Sequence, residues 1–170
     1  MKIEQRQWTT SGGWKTIVEA TFEESPQLVL VFGGRKEIEK DKAYKEIKAF
    51  YPNSNIIICS TAGEILGTTV SDNSIALTAV YFEKTKLEFS QATLDDMNNS
   101  YNVGALIAAS IPQKDLVHAM VFSDGLNVNG SQLVSGLTSA LDDNVTVTGG
   151  LVGDGPDFKK TVVGLNQVPD

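Results

Sequence analysis

Four short stretches carry residue types that could bind or react. They are Gly33-Gly34, Cys59-Ser60-Thr61-Ala62-Gly63-Glu64, Ser123-Asp124-Gly125 and Gly149-Gly150-Leu151-Val152-Gly153-Asp154-Gly155. Small residues leave backbone N–H groups open to an anion, and the acids Glu64, Asp124 and Asp154 suit an ammonium group or serve to shape the turns. Taken together they read as a cradle for a small zwitterion. Its carboxylate would meet the backbones of Gly63, Gly150 and Gly153. Each glycine taken alone reads rather as the residue that a tight turn needs. The candidate binding positions are Gly33, Gly34, Ser60, Thr61, Gly63, Glu64, Ser123, Asp124, Gly150, Gly153 and Asp154. The last stretch lacks the Gly-Lys-Ser/Thr ending of a phosphate loop.

A nucleophile is the competing chemistry. Cys59 is the single cysteine and His118 the single histidine. A Cys–His pair would make a hydrolase or amidase, but a thiol closing an apolar strand also reads as a small buried hydrophobe. Ser60 lies outside any G-x-S-x-G elbow, and Ser123-Asp124-Gly125 has no second histidine to complete a triad. One cysteine and one histidine cannot build a Cys/His zinc site, and the scattered acids match no cation-binding loop. No cofactor is expected. Trp8 and Trp14 flank a Gly-rich turn and read as core or surface lid, or as a stacking surface for a ligand.

These turns need elements to hold them. Leu28–Phe32 and Asn55–Cys59 are apolar runs rich in β-branched residues, and they read as buried strands. Between them a polar helix spans about Glu37 to Phe50, with Ala43, Tyr44, Ile47, Phe50 and Tyr51 as its apolar stripe and Pro52 as its stop. Strand, helix, strand is a β-α-β unit with parallel strands. Ligands gather at the carboxyl ends of such strands, so parallel strands would place all four turns on one edge.

The remaining elements follow the same logic. Ile3–Gln7 reads as a short strand before a turn at Ser11-Gly12-Gly13, and Trp14–Phe22 as helix or strand. Ser74–Phe82 and Lys86–Ala92 read as a hairpin joined by Glu83–Thr85. Asn98–Ile111 is helical, with Val103, Leu106, Ile107 and Ile111 at helical spacing. Leu116–Phe122 is a buried strand. Asn129-Gly130-Ser131 caps a helix striped by Leu133, Val134, Leu137 and Leu141. Val145–Thr148 and Thr161–Leu165 close the chain as strands.

The second group of elements echoes the first at a shift of about 90 residues. Leu30-Val31-Phe32 matches Met120-Val121-Phe122. Cys59-Ser60-Thr61-Ala62-Gly63-Glu64 falls on Gly149-Gly150-Leu151-Val152-Gly153-Asp154. Duplication predicts an α/β fold of two β-α-β units about a pseudo-twofold axis, in one mixed sheet or two packed sheets with flanking helices. It also predicts a truncated second half, since the strands that follow the first unit have no equivalent before Asp170.

Composition narrows the class. With 170 residues, 41% of them hydrophobic and 21% charged, the chain suits a single globular domain. A net charge of −7 disfavours nucleic acid as a partner. No Arg follows Arg35, so any anion bound by later segments must rely on backbone N–H groups or Lys. Apolar runs are too short to span a membrane. The polar N-terminus shows no secretory h-region, and with a free cysteine it points to the cytoplasm.

The spaced blocks together resemble a known family. Phe32-Gly33-Gly34, Tyr51-Pro52, Cys59-Ser60-Thr61-Ala62-Gly63-Glu64-Ile65, Ser123-Asp124-Gly125-Leu126, Asn129-Gly130 and Gly149-Gly150-Leu151-Val152-Gly153-Asp154-Gly155 occur in this order, followed by Phe158 and Thr161. From about Leu28 onward they resemble the N-terminal half of the FIST domain. The resemblance implies a bacterial sensory input domain, non-catalytic, that binds a small ligand with amino acids as the proposed class. It implies a C-terminal FIST half and a signalling output as partners. Val152 stands where that family usually has Ala. Two alternatives stay open: a small-molecule hydrolase or amidase using Cys59 or Ser60, and an interaction module docking on a C-terminal FIST half. An apolar strand edge exposed on the chain, or a homodimer through it, would favour the second.

Overall fold

In the computed structural model, which describes residues 1–93 and 97–170, the polar opening of the chain is a hairpin. Strand β1 (Lys2–Thr9) pairs antiparallel with β2 (Gly13–Val18), and Trp8 sits opposite Trp14. Strand β3 (Leu28–Gly33) leads into two helices, α1 (Arg35–Ile38) and α2 (Asp41–Phe50), then β4 (Asn55–Ser60). A small hairpin follows, β5 (Glu64–Leu66) and β6 (Thr69–Ser71), and then β7 (Ser74–Tyr81). A 3-10 turn (Met97–Asn99) opens α3 (Ser100–Ala109). Next come β8 (His118–Ser123), α4 (Gly130–Ser139), β9 (Thr146–Leu151) and β10 (Val163–Leu165).

The chain divides into two units, Met1–Lys86 with Gly153–Asp170, and Leu87–Val152. The first holds a six-stranded mixed sheet in the order β10-β4-β3-β7-β1-β2. Only β3 and β4 run parallel, in register from Leu28↔Asn55 to Gly33↔Ser60. Helices α1 and α2 cover the face that carries Val29, Val31, Ile56, Ile58, Ile75 and Leu77, with Ile38, Ala43, Ile47 and Tyr51 facing them in one core. The α/β class and mixed sheet expected from the sequence are therefore present.

Two expectations fail here for stated reasons. The helix over residues 37–50 is broken at Glu39-Lys40, where Lys40 is extended. In one straight helix Ile38 and Ala43 would point about 140° apart. The break lets both face the sheet, where Ile38 is fully buried and Ala43 nearly so. The expected strand Lys86–Ala92 is absent, and these residues are irregular. Both edges of β7 are already occupied, by β1 and by β3, so no hairpin partner can join it.

The second unit is a parallel pair, β8 and β9, in register from His118↔Thr146 to Ser123↔Leu151. Its core gathers Ala108, Leu133, Leu137 and Leu141, with Ala119, Val121 and Val147 of the strands packed on it. Asn129 caps α4 as its sequence suggested, its Oδ1 accepting from the Gln132 N–H at 3.1 Å. Both parallel pairs run six residues, in the element order that a repeat expects. Among the described residues no helix is long and apolar enough to cross a membrane.

Candidate functional site

The carboxyl ends of β3 and β4 lie side by side in the first unit. The Thr61 N–H donates to Gly33 O (3.1 Å), which joins the Gly33-Gly34 turn to the turn after β4. The Gly34 N–H donates to Ser74 O (3.1 Å), so the start of β7 closes the same edge. A Cβ on Gly33 would crowd Ile38 Cγ2 at 2.6 Å and Ser74 O at 3.1 Å, so this position admits no side chain without a shift. The segment from Gly153 joins as well. The Gly153 N–H donates to Ser60 O (3.0 Å) and the Gly155 N–H to Thr61 O (3.1 Å). Gly33, Gly34, Ser60, Thr61, Gly63, Glu64, Gly153 and Asp154 thus share one strand-end edge.

Two acids fasten this edge. Glu64 is buried. Its Oε1 accepts from Thr61 Oγ1 at 2.6 Å, and its Oε2 from the Ser74 N–H at 3.1 Å and Ser74 Oγ at 2.7 Å. Asp154 is buried too. Its Oδ1 accepts from Arg35 Nε at 2.5 Å, and its Oδ2 from the N–H groups of Lys159 (2.8 Å) and Lys160 (3.0 Å). Every carboxylate oxygen of the pair has a donor. Burial alone would raise the Asp154 pKa, but Arg35 and the two amides outweigh it and hold the carboxyl at about 2. Both acids shape the turns, and a ligand ammonium would have to share or displace these donors.

Sequence reasoning missed Arg35. The sequence marks it only as the last arginine, yet it meets Asp154 across 119 positions. It also bonds Glu39 at 3.2 Å and faces Asp157 at 3.6 Å. Ser74 was missed as well, since a serine opening a strand carries no signal of its own.

The remaining candidates belong to the second unit. Ser123 ends β8, and Asp124 holds its own turn: Oδ1 accepts from the N–H groups of Leu126 (2.7 Å) and Asn127 (3.1 Å). Gly149 and Gly150 lie inside β9, not in a turn after it, which corrects the shorter strand expected. Gly149 has φ +141, and a Cβ there would fall on the backbone of Val121. Only glycine lets the two strands approach this closely.

The nucleophile candidates are enclosed. Cys59 is 1% exposed, and burial pushes its thiol up to about 12. Ser60 is fully buried, its Oγ accepting from the Val162 N–H at 2.9 Å. His118 belongs to the second unit, where it is exposed with Nε2 2.9 Å from Thr148 Oγ1. Trp8 and Trp14 pack against the core, and Trp14 Nε1 donates to Glu46 at 2.9 Å. Among the described residues no group of three His, Cys, Asp or Glu could hold a metal ion. Reaction of the native protein with a maleimide should therefore be slower at Cys59 than in urea by a factor of about 100 or more, given such a thiol and such burial. Equal rates would show Cys59 to be open.

A second polar feature went unread in the sequence. Glu4 is buried in β1 and accepts from the Tyr51 hydroxyl and from Arg6 Nε (2.7 Å). The Arg6 guanidinium lies over the Phe50 ring at 4.4 Å. Burial first, and then Glu4, push the Tyr51 hydroxyl far above its usual pKa, so it stays a donor. Glu4 and Arg6 line an open groove of about 510 Å³ with Thr16, Glu19, Ala20 and Thr21. The signal was their shared parity on one strand, hidden in a polar alternation.

Fold and site define an α/β protein whose strand-end turns are built from small residues and fastened by buried acids. Residues 27–169 match the FIST N domain, well over half of the chain, and the chain belongs to that family, a family of signal-transduction sensory domains. Neither the curated proteins nor the solved structures gave a match.

Proposed function

We propose that this chain is a bacterial, cytoplasmic input module that binds a small ligand without turning it over, with free amino acids as the first class to test. The signal would pass to an output domain or to a C-terminal FIST half. The observation that carries the reading is the strand-end edge of the first unit. There the turns of β3, β4 and the Gly153 segment meet, with Ala62 exposed on the rim and Gly63 half-buried beside it. Burial of Cys59 and Ser60 supports binding over hydrolysis, because neither offers an accessible nucleophile. On this reading the ligand carboxylate meets the Gly63 backbone. Glu64 and Asp154 keep the rim in shape. Gly153 already gives its N–H to Ser60 and holds the rim from behind.

The test is a thermal-shift screen against single amino acids and small carboxylates. A ligand at about 100 times its Kd adds about 2.7 kcal/mol, which raises Tm by about 5–10 °C for a chain of this size. Ala62→Glu, at an exposed rim position, should abolish that shift and leave the unliganded Tm unchanged. Silence across the screen would remove the amino-acid reading. A shift that survives Ala62→Glu would move the ligand off this edge, and the groove beside Arg6 would be the next place to look.

A further inference from the structure

Glu4 holds both of its protein donors on one oxygen. The Tyr51 hydroxyl and Arg6 Nε (2.7 Å) both donate to Oε1, and Oε2 has no partner among the described residues. Glu4 is only 9% exposed, yet that second oxygen is not sealed in. Among the described residues the one sealed side-chain polar atom without a partner is Gln113 Oε1, so Glu4 Oε2 opens on the groove that Glu4 lines. A carboxylate oxygen at such depth costs stability unless something donates to it.

Arg6 is half used in the same way. A guanidinium carries five N–H donors. Nε meets Glu4, and the Tyr51 hydroxyl is the other polar group beside it. No further acceptor for its outer N–H groups is found among the described residues, and Arg6 lines the groove. The Phe50 ring at 4.4 Å and the Tyr51 ring at 5.6 Å hold the guanidinium in place. Little side-chain freedom is therefore left to lose when a ligand arrives.

The rest of the lining decides the charge of that ligand. Thr16, opposite Arg6 in the β1–β2 register, and Thr21 add hydroxyls. Glu19 is exposed and has no ion-pair partner among the described residues. Two acids against one arginine give the groove a formal charge of −1, on a chain of net charge −7. An anion would gain Arg6 but face two carboxylates, and the carboxylate of a zwitterion meets the same repulsion. A cation that carries a neutral oxygen beside its N–H groups satisfies both halves of the Glu4–Arg6 pair.

The groove also lies apart from the strand-end edge. Gly13 opens β2 opposite Thr9, and Thr9 stands opposite Ser74, at the rim end of the sheet. Residues 19–21 follow the other end of β2. Every lining residue precedes residue 27, where the family match begins.

We propose that this groove binds a small organic ammonium with a neutral oxygen on the neighbouring carbon. The ammonium donates to Glu4 Oε2 and Glu19, and the oxygen accepts from Arg6. It is a second site, and it does not rest on the ligand proposed for the rim.

The chain holds two arginines, Arg6 in the groove and Arg35 at the rim, so their side-chain Nε–H signals in a nitrogen–proton NMR spectrum report the two places separately. Arg6→Lys assigns the signals by removing one. The probes are glycinamide, a cation, glycine, a zwitterion, and glycolate, an anion, all of similar size. Glycinamide should move the Arg6 signal saturably and leave that of Arg35 in place. Glycine should bind there about tenfold more weakly or worse, and glycolate should have no effect. Glu19→Gln, at an exposed position, should weaken glycinamide by about threefold, and Glu4→Gln by about tenfold or more. Glycylglycinamide, the same ammonium on a longer chain, should bind no tighter. Tighter binding would assign the groove to a peptide N-terminus and overturn the small-ligand proposal. An Arg6 signal that glycinamide leaves still overturns it, and so does glycolate binding as well as glycinamide, or a glycinamide affinity that neither glutamine variant changes. Movement of Arg35 alone, with glycine, would leave the rim reading standing while this one falls.

Discussion

Gly136→Ala should destabilise the second unit by about 2–3 kcal/mol, although alanine is the better helix former. Helices α3 and α4 touch backbone to backbone. A Cβ on Gly136 would fall on Tyr101 O and lie 2.8 Å from Tyr101 C and 3.0 Å from Ala105 N. On the facing helix, a Cβ on Gly104 would strike Leu133 O and sit 2.9 Å from Leu137 N. No flexible side chain can yield at either place, so the helices must separate. Separation strips Leu133, Leu137 and Ala108, three of the four fully packed residues of that core. Helix propensity returns at most about 1 kcal/mol. Gly130→Ala is the control: its Cβ would meet only the Leu151 side chain, at 3.5 Å and beyond, and stability should move by less than about 0.5 kcal/mol. Hydrogen exchange resolved by segment would show faster exchange in α3, α4, β8 and β9 for Gly136→Ala. Equal protection in the two variants would rule out a tight crossing.

Asp154→Ala should cost the first unit about 3–4 kcal/mol, the scale for breaking a buried ion pair and stranding two amides. The Asp154 side chain is 3% exposed and that of Arg35 15%. Removal leaves the Lys159 and Lys160 N–H groups without their acceptor and takes the shortest of Arg35's three acidic contacts. The same pair sets a pH dependence. The folded-state pKa of Asp154 is about 2, against 3.8 for an unperturbed Asp. A depressed pKa stabilises the folded state above the ordinary value, and the contribution disappears as pH falls through the folded one. Wild-type stability should therefore drop between about pH 4 and about pH 2. Asp154→Asn, which cannot ionise, should start lower and show a shallower acid limb. Urea midpoints across that range decide the matter, and parallel limbs would remove Asp154 from the acid response.

How much of this is legible in the sequence depends on how local each signal is. The β3–helix–β4 unit is legible because two apolar runs flank a polar segment and punctuation marks both ends. The cap at Asn129 is legible for the same reason. Hairpin β5–β6 is not, since it offers three residues a side and leaves Ile65 and Val70 exposed, so no alternation marks it. The strand expected at Lys86–Ala92 has suitable residues, but the neighbouring places beside β7 are filled by strands remote in the chain. In the first unit, glycines and small residues mark the turns after β3 and β4, whereas Gly149 and Gly150 belong to β9 itself. The partners that hold them, Arg35 for Asp154 and Ser74 for Glu64, emerge only once distant segments meet. The acids read equally as ammonium contacts or as turn-shaping groups, because a sequence does not show which of their lone pairs are already engaged.

The first unit is discontinuous in the chain, and that orders its synthesis. Ser60 receives its bond from Val162, 102 positions later, and Arg35 its closest carboxylate from Asp154, 119 positions later. On the ribosome β4 must emerge long before β10 exists to cover its edge, and all of the second unit is translated in the interval. A nascent chain paused before Gly153 thus presents Arg35 and Ser60 without these partners beside an open apolar strand. Closure of the sheet is a late, long-range event that waits on the segment from Gly153 onward to leave the exit tunnel.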